Sequence, residues 1–365
     1  MPVRVVADVD LGAVERNVSR LARAAPAARV CVVVKADAYG HGMLPVARAA
    51  LSGGAAWLAV ATAEEARGLR DAGIDARVLV MGALSDEELS VALAAQADLV
   101  AWREGFVQRV AERGGGRLHV KLDTGMGRLG TRDPAEATRV AELAASTPGV
   151  ELAGLMSHFA TADERDDDFF ARQLGRFRDW AEPLRTRFPG VILHTANSAA
   201  TLRDPASHYD LVRTGIAIYG MDPFGEDPAA QGLEPALALR SYVAEVKAIA
   251  PGQSTGYGRR FVAEAGSLIA TVPIGYGDGW RRALSGSPVL VGGRRVPIVG
   301  TVSMDNITVD LGADAQVAVG DEVVLIGRQG NERILAEEVA RLLGTINYEV
   351  TCALTPRVPR SYGGR

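Results

Sequence analysis

Between residues 30 and 215 the chain repeats one pattern. Short runs of β-branched and other apolar residues are followed by segments whose apolar positions recur at intervals of three and four. The runs are VCVVVK (30–35), WLAVA (57–61), RVLVMG (77–82), ADLVAW (97–102), RLHVKLD (117–123), ELAGLMSH (151–158), VILHTAN (191–197) and YDLVRTG (209–215). Segments such as TAEEARGLRDAG and PAEATRVAELAAS carry the helical spacing between them. Eight β/α alternations in so short a stretch predict an α/β fold, a parallel (β/α)8 barrel of the TIM type, with its active site at the C-terminal strand ends. A doubly wound open sheet is the alternative closure of the same pattern.

The pattern changes at DPFGEDPAAQGLEP (222–235), a Pro- and Gly-rich linker. Beyond it the strict alternation of half-buried strands takes over, in ALRSYVAEVKAIA, SLIATVPIG, SPVLVGGRRVPIVG, NITVDLG and DEVVLIG. Only ILAEEVARLLG (334–344) reads as a helix. The expected organisation is a barrel domain over residues 1–228 and a mostly-β domain over residues 236–365. The first strand, residues 3–9, lies outside the eight and is available to pair with the second domain. No internal repeat and no low-complexity tract interrupts the chain.

Composition narrows the class. The net charge of -4 leaves no basic footprint for nucleic acid. No run of apolar residues is long enough to span a bilayer, and the amino terminus lacks a signal-peptide pattern, so the expectation is a cytoplasmic protein with no membrane partner. Cys31 and Cys352 both fall in apolar, strand-like segments and suggest no disulfide framework. No metal-ligand spacing occurs. Of the 40 basic residues only three are lysines, Lys35, Lys121 and Lys247. Arginine stays protonated and forms no Schiff base, whereas a desolvated lysine becomes a nucleophile. A bias toward arginine therefore draws attention to each surviving amine, although GC-rich codon usage would leave a few lysines by chance.

Lys35 stands at the C-terminal end of the first predicted barrel strand, followed by AYGHG. Further polar clusters follow other predicted strands: KLDTGMGRLG (121–130), SHFATAD (157–163), HTANSAA (194–200) and RTGIAIYG (213–220). Ser198 falls at a strand-to-helix turn and Gly215–Ile216 follow the last strand, where backbone N–H groups and a hydroxyl make a phosphate cradle. An amine able to form a Schiff base beside a phosphate cradle points to pyridoxal 5′-phosphate (PLP).

KADAYGHG, KLDTGMGRLG, SHFATAD, HTANSAA, RTGIAIYG, STGYG, PIGYGDGW, VSMDN and TINYEVTC together resemble the barrel-type alanine racemases. They occur in that family's order and span nearly the whole chain. The resemblance implies a PLP-dependent racemase that interconverts L- and D-alanine and supplies D-alanine for peptidoglycan. It implies Lys35 as the lysine that carries PLP and acts on the D-enantiomer's α-proton. Tyr257 is implied as the second base, acting on the L-enantiomer. Tyr39, Asn197, Ser198, Gly215, Ile216 and Tyr348 resemble the cofactor-binding set, and Arg213 resembles the arginine that faces the pyridine nitrogen. His158 is similar to the residue that links the Tyr257 phenol to Arg213. Arg128 and the Met304 backbone N–H resemble the substrate-carboxylate contacts, with Asp305 beside them. Lys121 resembles a lysine carbamylated by CO2 in many members, and Tyr276 a tyrosine at the substrate entrance. Because Tyr257 and Met304 lie beyond the linker, the resemblance implies a homodimer whose active sites are shared between subunits. At Ser303 some relatives carry cysteine.

Two rivals share the barrel. PLP-dependent amino-acid decarboxylases need a glycine triplet after a strand and a cysteine-plus-acid motif. The triplet here, Gly114–Gly116, precedes a strand, and neither cysteine is followed by the acid. Single-domain PLP-binding proteins of cofactor homeostasis lack a β domain, and residues 236–365 argue against them.

Overall fold

A computed structural model of the chain describes residues 4–364. The chain opens with β1 (Val5–Asp10), whose side chains alternate between buried and half-buried. The strand expected over residues 3–9 thus begins at Val5 among the described residues, and Val3 lies outside them. The Asp10 carboxylate then accepts the Ala13 N–H and caps the helix Leu11–Ala24.

Eight parallel strands follow: β2 (Arg29–Val33), β3 (Trp57–Val60), β4 (Arg77–Val80), β5 (Asp98–Ala101), β6 (Gly116–Lys121), β7 (Val150–Met156), β8 (Ile192–His194) and β9 (Leu211–Thr214). They pair in the order β8-β7-β6-β5-β4-β3-β2-β9. Between β8 and β9 the ladder is replaced by two backbone bonds, Asp210 N–H to Leu193 O and Arg213 N–H to Ala196 O. The result is a nearly closed barrel. Helices cover its outside, so both faces of each strand are buried, and β3 to β5 contain almost no surface-accessible position. This is why the strands read as apolar runs rather than as alternations. Capping boxes at Thr62/Glu65 and Ser85/Glu88 start two of the helices, each satisfying otherwise orphaned N–H groups.

Strand register assigns the barrel's inner face. Cys31 pairs with Trp57 and with Arg213, Leu79 with Asp98, Val100 with His119, His119 with Gly154, and Met156 with His194. Side chains alternate along a strand. Leu58, Leu99, Leu118, Leu155 and Leu193 therefore face the helices, each wholly buried, and each contributes roughly 1.5–3 kcal/mol of burial. The interior is left with an unusual set of polar groups.

The second domain is a mixed sheet that reclaims the chain's first strand, with a separate two-stranded sheet. Its strands are β10 (Leu237–Tyr242), β11 (Glu245–Ile249), the short β12 (Ser254–Thr255) and β13 (Phe261–Val262), β14 (Ser267–Val272), β15 (Pro288–Val291), β16 (Arg294–Val299), β17 (Ile307–Gly312), β18 (Glu322–Gln329), β19 (Glu332–Ile334) and β20 (Arg360–Gly363). β12 and β13 form the separate two-stranded sheet. β1 pairs antiparallel with β10 and parallel with β20. Two sequence expectations need correction. The helix Ala336–Leu343 is joined by a second, Asn347–Cys352, which the short motif TINYEVTC did not reveal because six residues are too few to show helical periodicity. Cys352 closes that helix and is exposed, rather than lying in a strand. No helix among the described residues is long and apolar enough to cross a membrane.

Candidate active site

The strand that leads to Lys35 ends at Val33, two residues earlier than the apolar run suggested, and the chain then turns left-handed. Ala36, Asp37, Ala38 and Tyr39 all have φ of 52–53°. Left-handed helical conformation costs about 1–2 kcal/mol per L-residue, so four in succession need support from their surroundings. That support is specific. The Ala36 N–H donates to the Glu65 carboxylate at 2.7 Å, and the Asp37 carboxylate accepts the Met43 N–H at 2.8 Å. The buried His41 Nδ1 lies 3.1 and 3.0 Å from the Ala38 and Tyr39 carbonyls, so it carries the hydrogen and donates to both. The turn holds Lys35 at the barrel mouth and folds Tyr39 back toward β9.

Tyr39 stacks on Tyr219 at a centroid distance of 4.9 Å and tilts against Tyr348 at 5.7 Å. The Tyr219 hydroxyl donates to the Val33 carbonyl at 2.7 Å and ties the aromatic group to β2. A Cβ at Gly215 would stand 2.6 Å from the Tyr39 hydroxyl oxygen, so glycine is required there for close approach. Ser198 opens the helix Ser198–Arg203, capped by the Asn197 side chain. Its Oγ accepts the N–H groups of Gly215 at 2.9 Å and Ala217 at 3.3 Å, which leaves the hydroxyl hydrogen free to donate. The Ile216 N–H begins the short turn Ile216–Tyr219, where a 3-10 helix offers it no internal acceptor. The geometry is a concave set of donors shaped for an anion.

Lys35, Tyr39, Ser198, Gly215, Ile216 and Tyr348 line one cavity of about 460 Å³ together with Lys121, Arg128, His158, Asn197 and Arg213. Four of these residues are cationic and none is a carboxylate. Such a cavity favours a ligand carrying more than one negative group. Burial, and then the Arg128 guanidinium, lower the Lys35 pKa below the usual lysine range and favour a free amine. Burial, Arg213 and Arg128 together bring Lys121 down to about 8.

Arg213 is buried at the floor of the cavity, and burial lowers its pKa to about 10, so it remains protonated at neutral pH. One terminal nitrogen donates to His194 Nδ1 at 2.8 Å and to the His194 carbonyl at 3.0 Å. The other donates to the carbonyls of Ser157 (2.8 Å) and Thr195 (3.1 Å) and lies 3.3 Å from His158 Nδ1. Burial, with Arg213 next in strength, pushes His158 and His194 well below the ordinary imidazole value, so both are neutral. Beside them, the Asp123 carboxylate accepts the N–H groups of Gly125 and Gly127 and shapes the loop that presents the exposed Arg128.

The other expected site residues lie elsewhere. Tyr257 is 73% exposed, Met304 52% and Tyr276 43%, all on the β domain. Tyr257 lines a separate cavity with Gly256, Thr301 and Ser303. The Thr301 hydroxyl donates to the Tyr257 carbonyl at 3.0 Å, and the N–H groups of Tyr276 and Gly277 donate to the carbonyls of Ser303 and Met304. Asp305 pairs with Arg357 at 2.6 Å. Within one chain these side chains form their own surface cluster, apart from Lys35.

Both parts of the chain match family models. Residues 9–223 match the alanine racemase N-terminal domain and residues 236–362 the alanine racemase C-terminal domain. The chain belongs to the alanine racemase family. It is 44% identical to an alanine racemase of Symbiobacterium thermophilum over 98% of this chain and 97% of that one. Identity to the alanine racemase of Geobacillus stearothermophilus is 43%, covering 98% and 92% of the two chains. Among solved structures, alanine racemase from D-cycloserine-producing Streptomyces lavendulae superposes with a TM-score of 0.94 at 40% identity, covering 100% and 98%. Alanine racemase from Bacillus anthracis with bound L-Ala-P gives 0.92 at 39% identity, covering 100% and 97%.

In this alanine racemase-family site some contributors escaped sequence reasoning. Tyr219 sits inside the quoted motif RTGIAIYG, yet its stacking on Tyr39 depends on a contact across 180 positions. Cys352 lines the Lys35 cavity from the unexpected helix. His194, which holds Arg213, falls within HTANSAA, but nothing local distinguishes it from a structural histidine.

Proposed function

We propose that the chain is a PLP-dependent enzyme that interconverts L- and D-alanine, with Lys35 and Tyr257 as its two bases. The observation that carries the reading is the convergence of a desolvated lysine, an anion cradle and a buried arginine on one carboxylate-free cavity. The residues fit the cofactor. Lys35 would hold it covalently, while Tyr39, Ser198, Gly215, Ile216 and Tyr348 would surround its phosphate, with Asn197 capping the helix that presents Ser198. Arg213 would meet the ring nitrogen. Bound there, PLP supplies an electron sink for a carbanion at the substrate α-carbon.

The chain's own groups set the outcome. Arg213 retains its proton at neutral pH and lends none to the ring, which weakens the sink and favours rapid reprotonation at the α-carbon over transamination. Arg128 supplies a cation for the substrate carboxylate. Lys35 removes or returns a proton on one face. Lys121, depressed toward neutrality among cations, is poised to attack CO2, forming an N–C bond, releasing one proton and becoming a carbamate that would counter Arg128 and Arg213.

Tyr257, Met304, Tyr276 and Asp305 enter through a second copy of the chain in this reading. A homodimer would bring the exposed Tyr257 phenol to the partner's cavity, near His158, and cover apolar side chains that one chain leaves in solvent. The functional division is residues 1–228 for cofactor binding and 236–365 for the partner's site. The D-alanine formed would serve peptidoglycan synthesis.

Circular dichroism of L-alanine incubated with the PLP-loaded protein tests the reading, alongside a panel of other L-amino acids. Signal decay for alanine and little for bulky residues is expected. Persistent L-alanine signal in the presence of yellow, PLP-loaded protein would overturn it.

A further inference from the structure

We infer that Asp98 and His119, deep in the barrel interior, are positioning residues for Arg213, acting through a one-way chain of hydrogen bonds Arg213–His194–His119–Asp98. The role assigned to them rests on the reading of Arg213 as a cofactor contact, whereas the chain itself does not.

The links are short and enclosed. His194 Nε2 lies 2.8 Å from His119 Nδ1, and His119 Nε2 lies 3.0 Å from Asp98 Oδ2. Asp98, His119 and His194 are each wholly buried. Beyond Asp98, Arg77 donates to Oδ2 at 2.5 Å and the Arg117 Nε donates to Oδ1 at 2.6 Å, at the end of the barrel opposite the cavity.

Both ends dictate the direction. A guanidinium only donates, so His194 Nδ1, 2.8 Å from Arg213, must be bare. Asp98, clamped by two arginines, is held as an ionised carboxylate and only accepts, so His119 Nε2 must carry hydrogen. One hydrogen then remains for the central contact. If it sat on His119, His194 would be left an imidazolate. It therefore sits on His194 Nε2, and both imidazoles are neutral Nε2–H tautomers. Every donor faces away from the cavity, and no link can reverse without leaving a buried charge or two opposed lone pairs.

The fold makes room for the chain. A Cβ at position 154 would lie 2.3 Å from His119 Nδ1, so Gly154 on the neighbouring strand is what admits the ring. The β6–β7 register shifts between Leu118 and His119, at the point where the imidazole turns inward. Trp57 packs edge-on to His119 at 5.7 Å and lies 4.1 Å beneath the Arg77 guanidinium. Buried ionic groups are weak stabilisers, and well-packed apolar residues often replace them without cost. A polar chain that ends on Arg213 does something apolar packing cannot: it fixes one terminal guanidinium nitrogen through His194, while the Ser157 and Thr195 carbonyls hold the other. No hydrogen bond to Arg213 Nε occurs among the described residues, which leaves that N–H as the donor free for a ligand in the cavity.

The test is 15N NMR of histidine-labelled, PLP-loaded protein, with His119 assigned through His119→Phe. The expected spectrum shows His119 and His194 as neutral Nε2–H tautomers. In His119→Phe and in Asp98→Asn, PLP absorption should shift, PLP release should quicken about tenfold, and kcat should fall about tenfold with KM for L-alanine nearly unchanged, as when an outer partner of a ligating group is lost. A Nδ1–H tautomer or a charged ring at either wild-type histidine would overturn the chain. Folded variants with wild-type PLP spectrum and release would overturn the positioning role. If the protein fails to racemise alanine, the tautomer spectrum still decides the chain, so the two failures are distinguishable.

Discussion

Gly215 and Tyr39 meet so closely that a methyl group on the glycine would stand 2.6 Å from the tyrosine hydroxyl oxygen. The contact joins the end of the last barrel strand to the left-handed turn after the first, across the cavity wall. It makes the position of the phenol depend on the absence of a side chain 176 positions away.

Gly215→Ala should therefore displace the Tyr39 ring and destabilise the fold by about 1–3 kcal/mol, the usual cost of overpacking. Removing the hydroxyl should relieve the clash. We expect the double variant Gly215→Ala/Tyr39→Phe to melt at a higher temperature than Gly215→Ala alone, a non-additivity that marks direct contact. Additive losses in a thermal-denaturation cycle would mean that the contact is not the source of strain.

A carbamate at Lys121, as proposed, would link the site to pH and CO2. The lysine's folded pKa of about 8 lies below the ordinary lysine value of 10.5, with burial as the first cause. Between these values the unfolded chain binds a proton that the folded chain does not, so this group's penalty is full below pH 8 and fades as pH rises toward 10.5. In CO2-free buffer Lys121→Met should be more stable than the wild type at pH 7, with the gap closing above pH 8. Added bicarbonate should raise the melting temperature of the wild type only. Equal response of both proteins would exclude a carbamate at Lys121.

His41 carries the same kind of acid sensitivity in a lower pH window. Burial lowers its pKa to about 4 from 6.5. Between those values only the unfolded state takes up the proton, so stability contributed by the neutral ring is lost as pH falls from 6.5 toward 4. His41→Gln, which retains an N–H donor for the Ala38 and Tyr39 carbonyls, should flatten that slope by about one proton in denaturant titrations across this range. An unchanged slope would show that His41 is not buried neutral.

The proposed sharing of active sites between two copies predicts complementation. Lys35→Ala and Tyr257→Phe should each be inactive alone, and mixing them should restore activity, up to about a quarter of the wild-type sites if subunits exchange freely and two copies form each unit. Proton NMR in deuterium oxide adds a second readout. Tyr257→Phe should still exchange the α-hydrogen of D-alanine, through Lys35, and exchange that of L-alanine far more slowly, because a base acts only on a proton within hydrogen-bond reach. No recovery despite demonstrated subunit exchange would place each site within one chain.

Much of this architecture was legible in the order of residues. The barrel strands stand out because parallel strands buried on both faces must be apolar throughout, as WLAV and RVLV are. Lys35 stands out because amines are scarce in this chain, and Ser198 and Gly215 because they follow strands directly. These are local properties, set by neighbours a few positions apart. The left-handed turn over Ala36–Tyr39 was not legible, since alanine, aspartate and tyrosine have no intrinsic preference for it and only Glu65, Met43 and His41 hold it. Nor was the chain from Arg213 to Asp98. In sequence Asp98, His119 and His194 are isolated polar residues in apolar runs, and alternation can assign each a face but not a partner. Barrel closure brought them together, and Gly154 gave His119 its space. The sequence by itself determined the strands, the linker and the chemistry at the strand ends, because each follows from periodicity and side-chain type. Tertiary structure alone decided which buried groups meet and in which direction their hydrogens point, because those depend on register and close approach between segments far apart in the chain.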